Sequence, residues 1–350
     1  MKSNYEPLGK HIRLVDYRNS EEVTSTVLGI SIDKEFMPSV ANVIGTDLSR
    51  YKLISKGLFA CNPMHVGRDE RLPIALYEKD NAAIVSPAYF MFEIIDRDVL
   101  NEEYLMIWFR RPEFDRECWF MTDGSVRGGI SWDDLCRIQL PVPPYERQLD
   151  VVESYRAITR RIAMKKEIND NLEAVLAASH SKMFFSKDTS EHSKLGELMT
   201  FGNGKSRPKT DGPIPVYGGN GVLSYTDHHN IENAVLIGRV GAYCGSVYLE
   251  QGICWVSDNA IFAKSKITKD EFFDYFLLKR LNLFNHHVGT GQQLLTQEIL
   301  NNIEVPKPVT EQIELFNRKA TSIFETIFTN SREIIRLQEL SDLLLSRLAG

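Results

Sequence analysis

The chain has 350 residues, of which 43% are hydrophobic and 25% charged; this is an ordinary globular composition on a chain too long for one compact core and fitted to two domains. Its five cysteines include no C-x-x-C pair, which excludes the dense disulfide framework of small secreted domains, and no segment approaches the roughly 18 uncharged apolar residues of a membrane span, so the expectation is a cytoplasmic protein with reduced thiols. A formal net charge of −6 argues against a nonspecific nucleic-acid binder, whose affinity comes from lysines and arginines that release phosphate counterions, and any such contact has to rest on how charge is distributed.

In chain order, Leu8-Gly9-Lys10 opens the first half and returns as Leu195-Gly196-Glu197. Residues 26 to 95 hold the apolar runs TVLGISI and AAIVSPAYFMFEII, whose β-branched and aromatic residues between glycines and prolines predict strands. Asn101 to Arg111 predicts a helix with Leu105, Trp108 and Phe109 on one face. Gly124 to Gln148 then lines up with Gly289 to Gln312, matching Leu135 with Leu300, Ile138 with Ile303, Pro141 with Pro306, Pro143 with Pro308 and, after a one-residue gap, Gln148 with Gln312. In both copies P-x-P precedes a long helical pattern. Proline lacks an amide donor and drives the residue before it toward extended backbone, so P-x-P makes a stiff exit from a domain.

The first long pattern places Tyr155, Ile158, Ile162, Lys165, Asn169, Leu172, Leu176, Ser179 and Met183 on alternating steps of three and four, the seam of a left-handed supercoil. A second domain follows, with AVLIGRV and CGSVYL as strands and Lys269 to Leu281 as a late helix. The closing pattern runs Phe316, Ala320, Ile323, Ile327, Asn330, Ile334, Leu337, Ser341, Leu344 and Leu348. Each helix has one apolar stripe, and its simplest partner is the other. Set antiparallel with Asn169 against Asn330, the pair also matches Leu172 with Ile327, Leu176 with Ile323, Ile162 with Leu337 and Tyr155 with Leu344. A buried seam asparagine is best known for fixing register. The expected fold class is α+β: two mixed α/β domains separated by two long helices packed as an antiparallel coiled coil, with a pseudo-two-fold internal repeat. The expected boundaries are 1–144 and 188–310 for the domains, and 145–187 and 311–350 for the helices.

Catalytic signatures are missing. Gly204-Lys205-Ser206 resembles the end of a P-loop, but Met199 stands where that motif needs glycine. Asn62-Pro63-Met64 lacks the second proline and the aromatic of an amino-methyltransferase motif and reads as a strand-end turn. The adjacent pairs His228-His229 and His286-His287 point in different directions on extended backbone, unlike i, i+4 metal pairs. The expectation is no catalytic residue, no metal and no cofactor.

What remains fits a nucleic-acid contact. Phe201 to Gly221 carries Lys205, Arg207 and Lys209 against the single acid Asp211, with Tyr217 and Asn220 among its glycines, and glycine lets backbone amides approach a ligand closely. Arg239 lies in IGRVGAYCG, and Gln292 and Gln293 in the GTGQQ turn carry amides suited to bidentate contact with adenine. The first half offers Asn62, Arg68, Arg71 and Tyr89, with Arg127 in the turn equivalent to GTGQQ. Asp69 and Glu70 beside Arg68 and Arg71 compete as local ion-pair partners.

The stretches IPVYGGNG, LIGRVGAYCGSVYL and WVSDNAIF, the twice-used P-x-P followed by E-Q or E-R-Q, and LISKGLFACNPMHVGRDE with IVSPAYFMF together resemble the specificity (S) subunit of type I restriction-modification enzymes over essentially the whole chain. The resemblance implies two target recognition domains alternating with two helical spacers. It also implies sequence-specific reading of a bipartite duplex DNA target and no catalytic residue on this chain. The implied partners are two methyltransferase (M) subunits, which hold S-adenosylmethionine, and restriction/translocase (R) subunits joined through them. Two other readings are open from sequence alone: a self-sufficient DNA methyltransferase or nuclease with fused recognition domains, which needs a cofactor or metal site, and a coiled-coil adaptor that selects no DNA sequence.

Overall fold

The computed structural model describes residues 5–40, 45–64, 66–122, 128–185, 191–289 and 293–348. The chain divides into two compact units, Met1–Met164 with Ile334–Gly350, and Lys165–Glu333. Each unit therefore holds one sheet-and-helix body together with a stretch of both long helices, Tyr145–Phe184 and Thr310–Arg347.

The first unit contains β1 (Tyr5–Pro7), β2 (Ile12–Leu14), β3 (Val27–Ile30), β4 (Phe36–Pro38), β5 (Lys52–Ile54), β6 (Phe59–Cys61), β7 (Ile74–Leu76), β8 (Ala83–Val85), β9 (Phe90–Ile94) and β10 (Gln139–Pro141). One four-stranded antiparallel sheet has the order β2-β9-β6-β7, a second has the order β4-β3-β8-β5 with β3 and β8 parallel, and β1 pairs with β10. Phe59 and Phe92 stack in the core with ring centroids 5.0 Å apart. The helix Glu102–Phe109 buries every residue from Tyr104 to Phe109, more than the single face expected. The reason is enclosure: β7 packs on one side, and Phe114 of the helix Pro112–Phe120 meets Trp108 and Phe109 at 5.1 and 4.9 Å on another.

In the second unit lie β11 (His192–Lys194), β12 (Met199–Asn203), β13 (Ile214–Gly218), β14 (Gly221–Thr226), β15 (Ile231–Gly238), β16 (Val247–Val256), β17 (Ala260–Ser265) and β18 (Glu304–Pro306). The main sheet runs β12-β17-β15-β16-β13-β14, with β13 and β16 parallel, and β11 pairs with β18. Its first four strands repeat the antiparallel order of β2-β9-β6-β7.

The aligned sequence stretches fall on matching elements. Leu8 N donates to Ile138 O at 2.8 Å, as Leu195 N does to Ile303 O at 2.9 Å. The helices Trp132–Arg137 and Gln297–Asn302 are capped by Ser131 and Thr296, whose hydroxyls accept from Asp134 N and Ile299 N at 3.1 and 3.2 Å. Gly9 and Gly196 pack against these helices so closely that an added Cβ would fall 2.8 Å from Cys136 Cβ and 2.5 Å from Asn301 Oδ1. The match between Gln148 and Gln312 does not carry over. Buried Gln148 donates from Nε2 to the carbonyls of Val99 and Pro143 and accepts from Asn101 N, all at 2.9 Å. Gln312 is exposed. In the second unit Asn317 does the equivalent work, accepting from Phe273 N at 2.9 Å and donating to Thr268 Oγ1 and Asp270 O at 2.9 and 3.0 Å. In both units a buried amide on the long helix ties down the start of the late helix, and the shorter asparagine does so from a different turn.

Every seam position named in the two long helices is buried or half-buried. Within the second unit, Lys165 pairs with Glu333 at 2.8 Å, and Asn169 Nδ2 donates to Ile327 O at 3.4 Å, so these stretches run antiparallel. Asn330 Nδ2 donates to Asn169 Oδ1 at 2.9 Å, and Asn330 Oδ1 accepts from Lys165 Nζ at 2.9 Å. In the first unit Leu345 joins Val152 in the core, with Tyr155 and Leu348 packed against it.

Two buried titratable groups give the second unit opposing responses to pH. His180 lies among Phe184, Phe273 and Phe316 at 5.1, 5.2 and 5.3 Å, and burial, assisted by Arg280, holds its imidazole down to about 3. Burial pushes the Asp274 carboxyl up to about 7. The depressed His180 contributes stability above the unfolded value near 6.5 that is lost as pH falls toward 3. The raised Asp274 contributes stability below about 4 that is lost as pH rises through about 7. We predict that His180→Phe raises the urea midpoint of this unit more at pH 5 than at pH 8, and Asp274→Asn more at pH 8 than at pH 5. Parallel pH profiles for wild type and variants would refute both assignments.

Candidate nucleic-acid interface

In the second unit several loops close around the turn from Val256 to Ala260, in which Ala260 N donates to Ser257 O at 3.0 Å. Lys205 N donates to Val256 O at 3.0 Å, Gly204 N to Ala260 O at 3.1 Å, Ser257 N to Tyr217 O at 2.8 Å and Arg239 N to Asn259 O at 3.0 Å. Leu295 N in turn donates to Arg239 O at 2.9 Å, and Gly241 N to Gln293 O at 3.1 Å. Asn230 braces the turn from behind, its side chain bonding both N and O of Val256 at 2.8 and 2.9 Å. The stretches IPVYGGNG, LIGRVGAYCG and WVSDNAIF, separate in sequence, thus meet at one place. Glycine makes the approach possible: a Cβ on Gly204 would stand 2.0 Å from Ser257 O, and one on Gly238 2.1 Å from Tyr243 O.

Lys205, Arg207 and Lys209 are exposed, and among the described residues no carboxylate pairs with them. Asn220 is exposed in the β13–β14 turn, next to Gly221 at φ +79°. Arg239 is half-buried, and its Nε is buried without a hydrogen-bond partner among the described residues. Gln293 is half-buried beside it in the frame. Tyr217 stands apart from these: its half-buried ring lies 6.4 Å from that of Tyr248, and its hydroxyl donates to Glu250 Oε2 at 3.0 Å. Burial and Glu250 raise its phenol. Tyr217 therefore shapes the sheet rather than offering a free donor. Sequence reasoning passed over Tyr243, 52% exposed in the Arg239 loop, and the exposed Asn259 of the central turn. Their signal is membership of two motif stretches, with no charge to draw notice.

The first unit builds the same frame. Asn62 N donates to Pro73 O at 2.8 Å, as Gly238 N does to Ser246 O at 2.8 Å. Ile130 N donates to Pro63 O at 3.1 Å, matching Leu295 N with Arg239 O, and Gly67 N donates to Gly128 O at 3.0 Å, matching Gly241 N with Gln293 O. Tyr89 N donates to Ser86 O at 3.1 Å, matching the turn at Ser257. The side chains differ. Asn62 Oδ1 accepts from Met64 N at 3.2 Å. Arg68 donates from Nε and from a terminal nitrogen to Asp69 at 2.7 and 2.8 Å, and Arg71 pairs with Asp33 at 3.3 Å, so Arg71 finds a distant acid and not its neighbour Glu70. Tyr89 is half-buried, its phenol raised by burial and its carbonyl accepting from Lys52 Nζ at 2.6 Å. These exposed arginine pairs are weak and open at little cost to a competing phosphate. Arg127 and Gln292 lie outside the described residues.

Among the described residues no group of three or more His, Cys, Asp and Glu side chains could hold a metal ion. His228 Nδ1 instead pairs with Asp227 at 2.8 Å. None of the helices described is long and apolar enough to cross a membrane.

A loop frame is thus built twice, with exposed cations around the second copy. Residues 187–343 match the family model of the type I restriction modification DNA specificity domain, a specificity domain and not a catalytic one. The chain is 20% identical to a putative type I restriction enzyme MjaX specificity subunit of Methanocaldococcus jannaschii, the match covering 95% of this chain and 84% of the relative. Its fold is similar to the crystal structure of the type I restriction-modification S subunit from M. genitalium, with a TM-score of 0.61, 15% identity and coverage of 98% of this chain and 95% of that one. The chain is thus similar to a type I specificity subunit over nearly its whole length, and residues 187–343 resemble that family's DNA specificity domain.

Replacing Lys205, Arg207 and Lys209 together with alanine is expected to weaken binding of the chain to all duplexes alike. It should also lower the slope of log K against log salt by about 0.9 for each phosphate that is no longer neutralised. An unchanged salt slope would remove this loop from the interface.

Proposed function

We propose that the chain reads a bipartite duplex DNA target, one half with each unit's loop frame, and directs two methyltransferase subunits, and through them restriction/translocase subunits, to that target in the cytoplasm. In this reading residues 1–144 and 188–310 are the readers, and 145–187 and 311–350 the spacers. The observation that carries it is the doubled frame: two sets of loops with the same backbone bonds and different side chains supply two recognition surfaces of different specificity. Lys205, Arg207 and Lys209 position the second reader on phosphates, and Asn220, Gln292 and Gln293 offer amides to base edges. Arg68, Arg71 and Arg127 serve the first reader in the same way. Recognition requires no reaction on this chain, and S-adenosylmethionine belongs to the methyltransferase partners. The spacer helices have 40 and 38 residues and are each roughly 60 Å long at about 1.5 Å per residue, enough to hold two readers in neighbouring major grooves.

Selection from random duplexes, with the methyltransferase partner present, should return two read blocks around an unread gap. A single uninterrupted block would overturn the reading.

In this reading Asn169 and Asn330 set the register of the spacers, at a cost in stability typical of polar seam residues. Replacing both with leucine should raise the melting temperature while the selected targets come to tolerate altered gap lengths. A variant that keeps the wild-type gap would leave the asparagines without this role.

A further inference from the structure

The two readers share a backbone frame, yet they put opposite chemistry at one position in it. Val235 pairs with Ala263 in the second unit, and Phe59 with Phe92 in the first. Continuing along both strands makes Gly238 the equivalent of Asn62, and Arg239 the equivalent of Pro63. The loop bonds agree, since Arg239 O and Pro63 O accept the equivalent amides of Leu295 and Ile130. We propose that Arg239 reads a guanine in the half-site of the second unit, through the paired acceptors O6 and N7 on its major-groove edge, and that the first unit makes no such contact from Pro63. The inference rests on the reading of this chain as a DNA reader.

The backbone of Arg239 is pinned from both sides. Its amide donates to Asn259 O at 3.0 Å, and its carbonyl accepts from Leu295 N at 2.9 Å and from Cys244 Sγ at 3.4 Å. Gly238 before it is held under the Tyr243 and Gly219 carbonyls, 2.1 and 2.9 Å from where its Cβ would be. The origin of the side chain is therefore fixed before any ligand arrives, as a site that has to place donors accurately requires. Among the described residues the guanidinium meets no acceptor. Its Nε is shielded from solvent with no partner among the described residues, a costly condition that folded proteins rarely leave unexplained. By contrast Arg68 and Arg71 of the first unit are satisfied by Asp69 and Asp33.

Two nucleic-acid acceptors fit a planar guanidinium fork, a phosphate and the O6/N7 edge of guanine. Exposed cations suffice for phosphate, and Lys205, Arg207 and Lys209 already supply them. Arg239 is instead half-buried, at the point where the loops converge, with the exposed Asn259 and Tyr243 beside it. Such a position gives accurate aim, which phosphate does not need and base readout does. At the same place in the first unit Pro63 is buried and has no donor at all, and the side-chain oxygen of Asn62 is occupied by Met64 N.

The test uses the chain in complex with its methyltransferase partner and selects bound sites from random duplexes at two salt concentrations. Wild type should require a guanine at one position of one block. Arg239→Ala, and Arg239→Met, which keeps an apolar stem for packing, should each lose that preference by about 5- to 150-fold while the other block is selected as before. That intact second block, read on the same molecules, shows that the variant is folded. Arg239→Lys should restore charge and little of the preference, because an ammonium lacks the fork. Selection unchanged in both variants overturns the proposal. So does a uniform loss over all sequences with a smaller salt slope, the mark of a phosphate contact. Wild type selecting no sequence at all would overturn the reading of the chain as a DNA reader, a failure distinct from these.

Discussion

The loops that converge on the Val256–Ala260 turn are held by their own backbone hydrogen bonds, and the remaining features of the interface depend on that. An irregular loop buried against a sheet leaves amides and carbonyls that cost free energy unless paired. Here Gly204, Lys205, Arg239, Gly241, Ser257 and Leu295 donate to carbonyls of neighbouring loops, with Asn230 completing the turn from the side. With the backbone satisfied internally, side chains at these positions are free to vary. The first unit illustrates it: the same bonds close around Pro63, Gly128 and Ser86, while the side chains they carry share almost no chemistry with those of the second.

Charge is arranged on the same principle of separation. A chain with a net charge of −6 offers DNA an unfavourable sum, and local placement compensates for it. Among the described residues, the cations Lys205, Arg207 and Lys209 of the second unit stand clear of carboxylates, whereas Arg68 and Arg71 of the first are held by Asp69 and Asp33. The two frames thus differ in how freely their cations can meet an anion, since an exposed ion pair has first to open.

The helical stretches of the second unit contain another satisfied polar group inside an apolar row. Lys165, Asn169, Asn330 and Glu333 bond one another, so that burying them leaves no stranded donor at the seam, and a shift of register would break the set together. Gln148 and Asn317 do comparable work where the helices meet the bodies, each bonding three groups of the adjoining loops. In each case one amide joins segments that hydrophobic contact alone would leave free to slide.

Much of this architecture was legible in the sequence, because it rests on periodicity and repetition. The steps of three and four along the helices, the twice-used P-x-P, and the matches of Leu135 with Leu300 and Ile138 with Ile303 all depend on local pattern, and the corresponding elements lie where those patterns put them. Lys205, Arg207, Lys209 and Arg239 were visible as cations among glycines, since loop composition is also local. What the sequence left open were relations between segments far apart in the chain. It paired Gln148 with Gln312, whereas the amide that reaches the late helix in the second unit is Asn317. It offered Tyr217 as a contact, whereas Glu250, on another strand, takes its hydroxyl. It offered Asp69 and Glu70 as local partners for Arg68 and Arg71; Asp69 does pair with Arg68, whereas Arg71 finds the distant Asp33. Periodicity determines which face of an element is buried; which partner a polar group finds is decided by the three-dimensional path of the chain, because a hydrogen bond acts over about 3 Å and composition carries no information at that range.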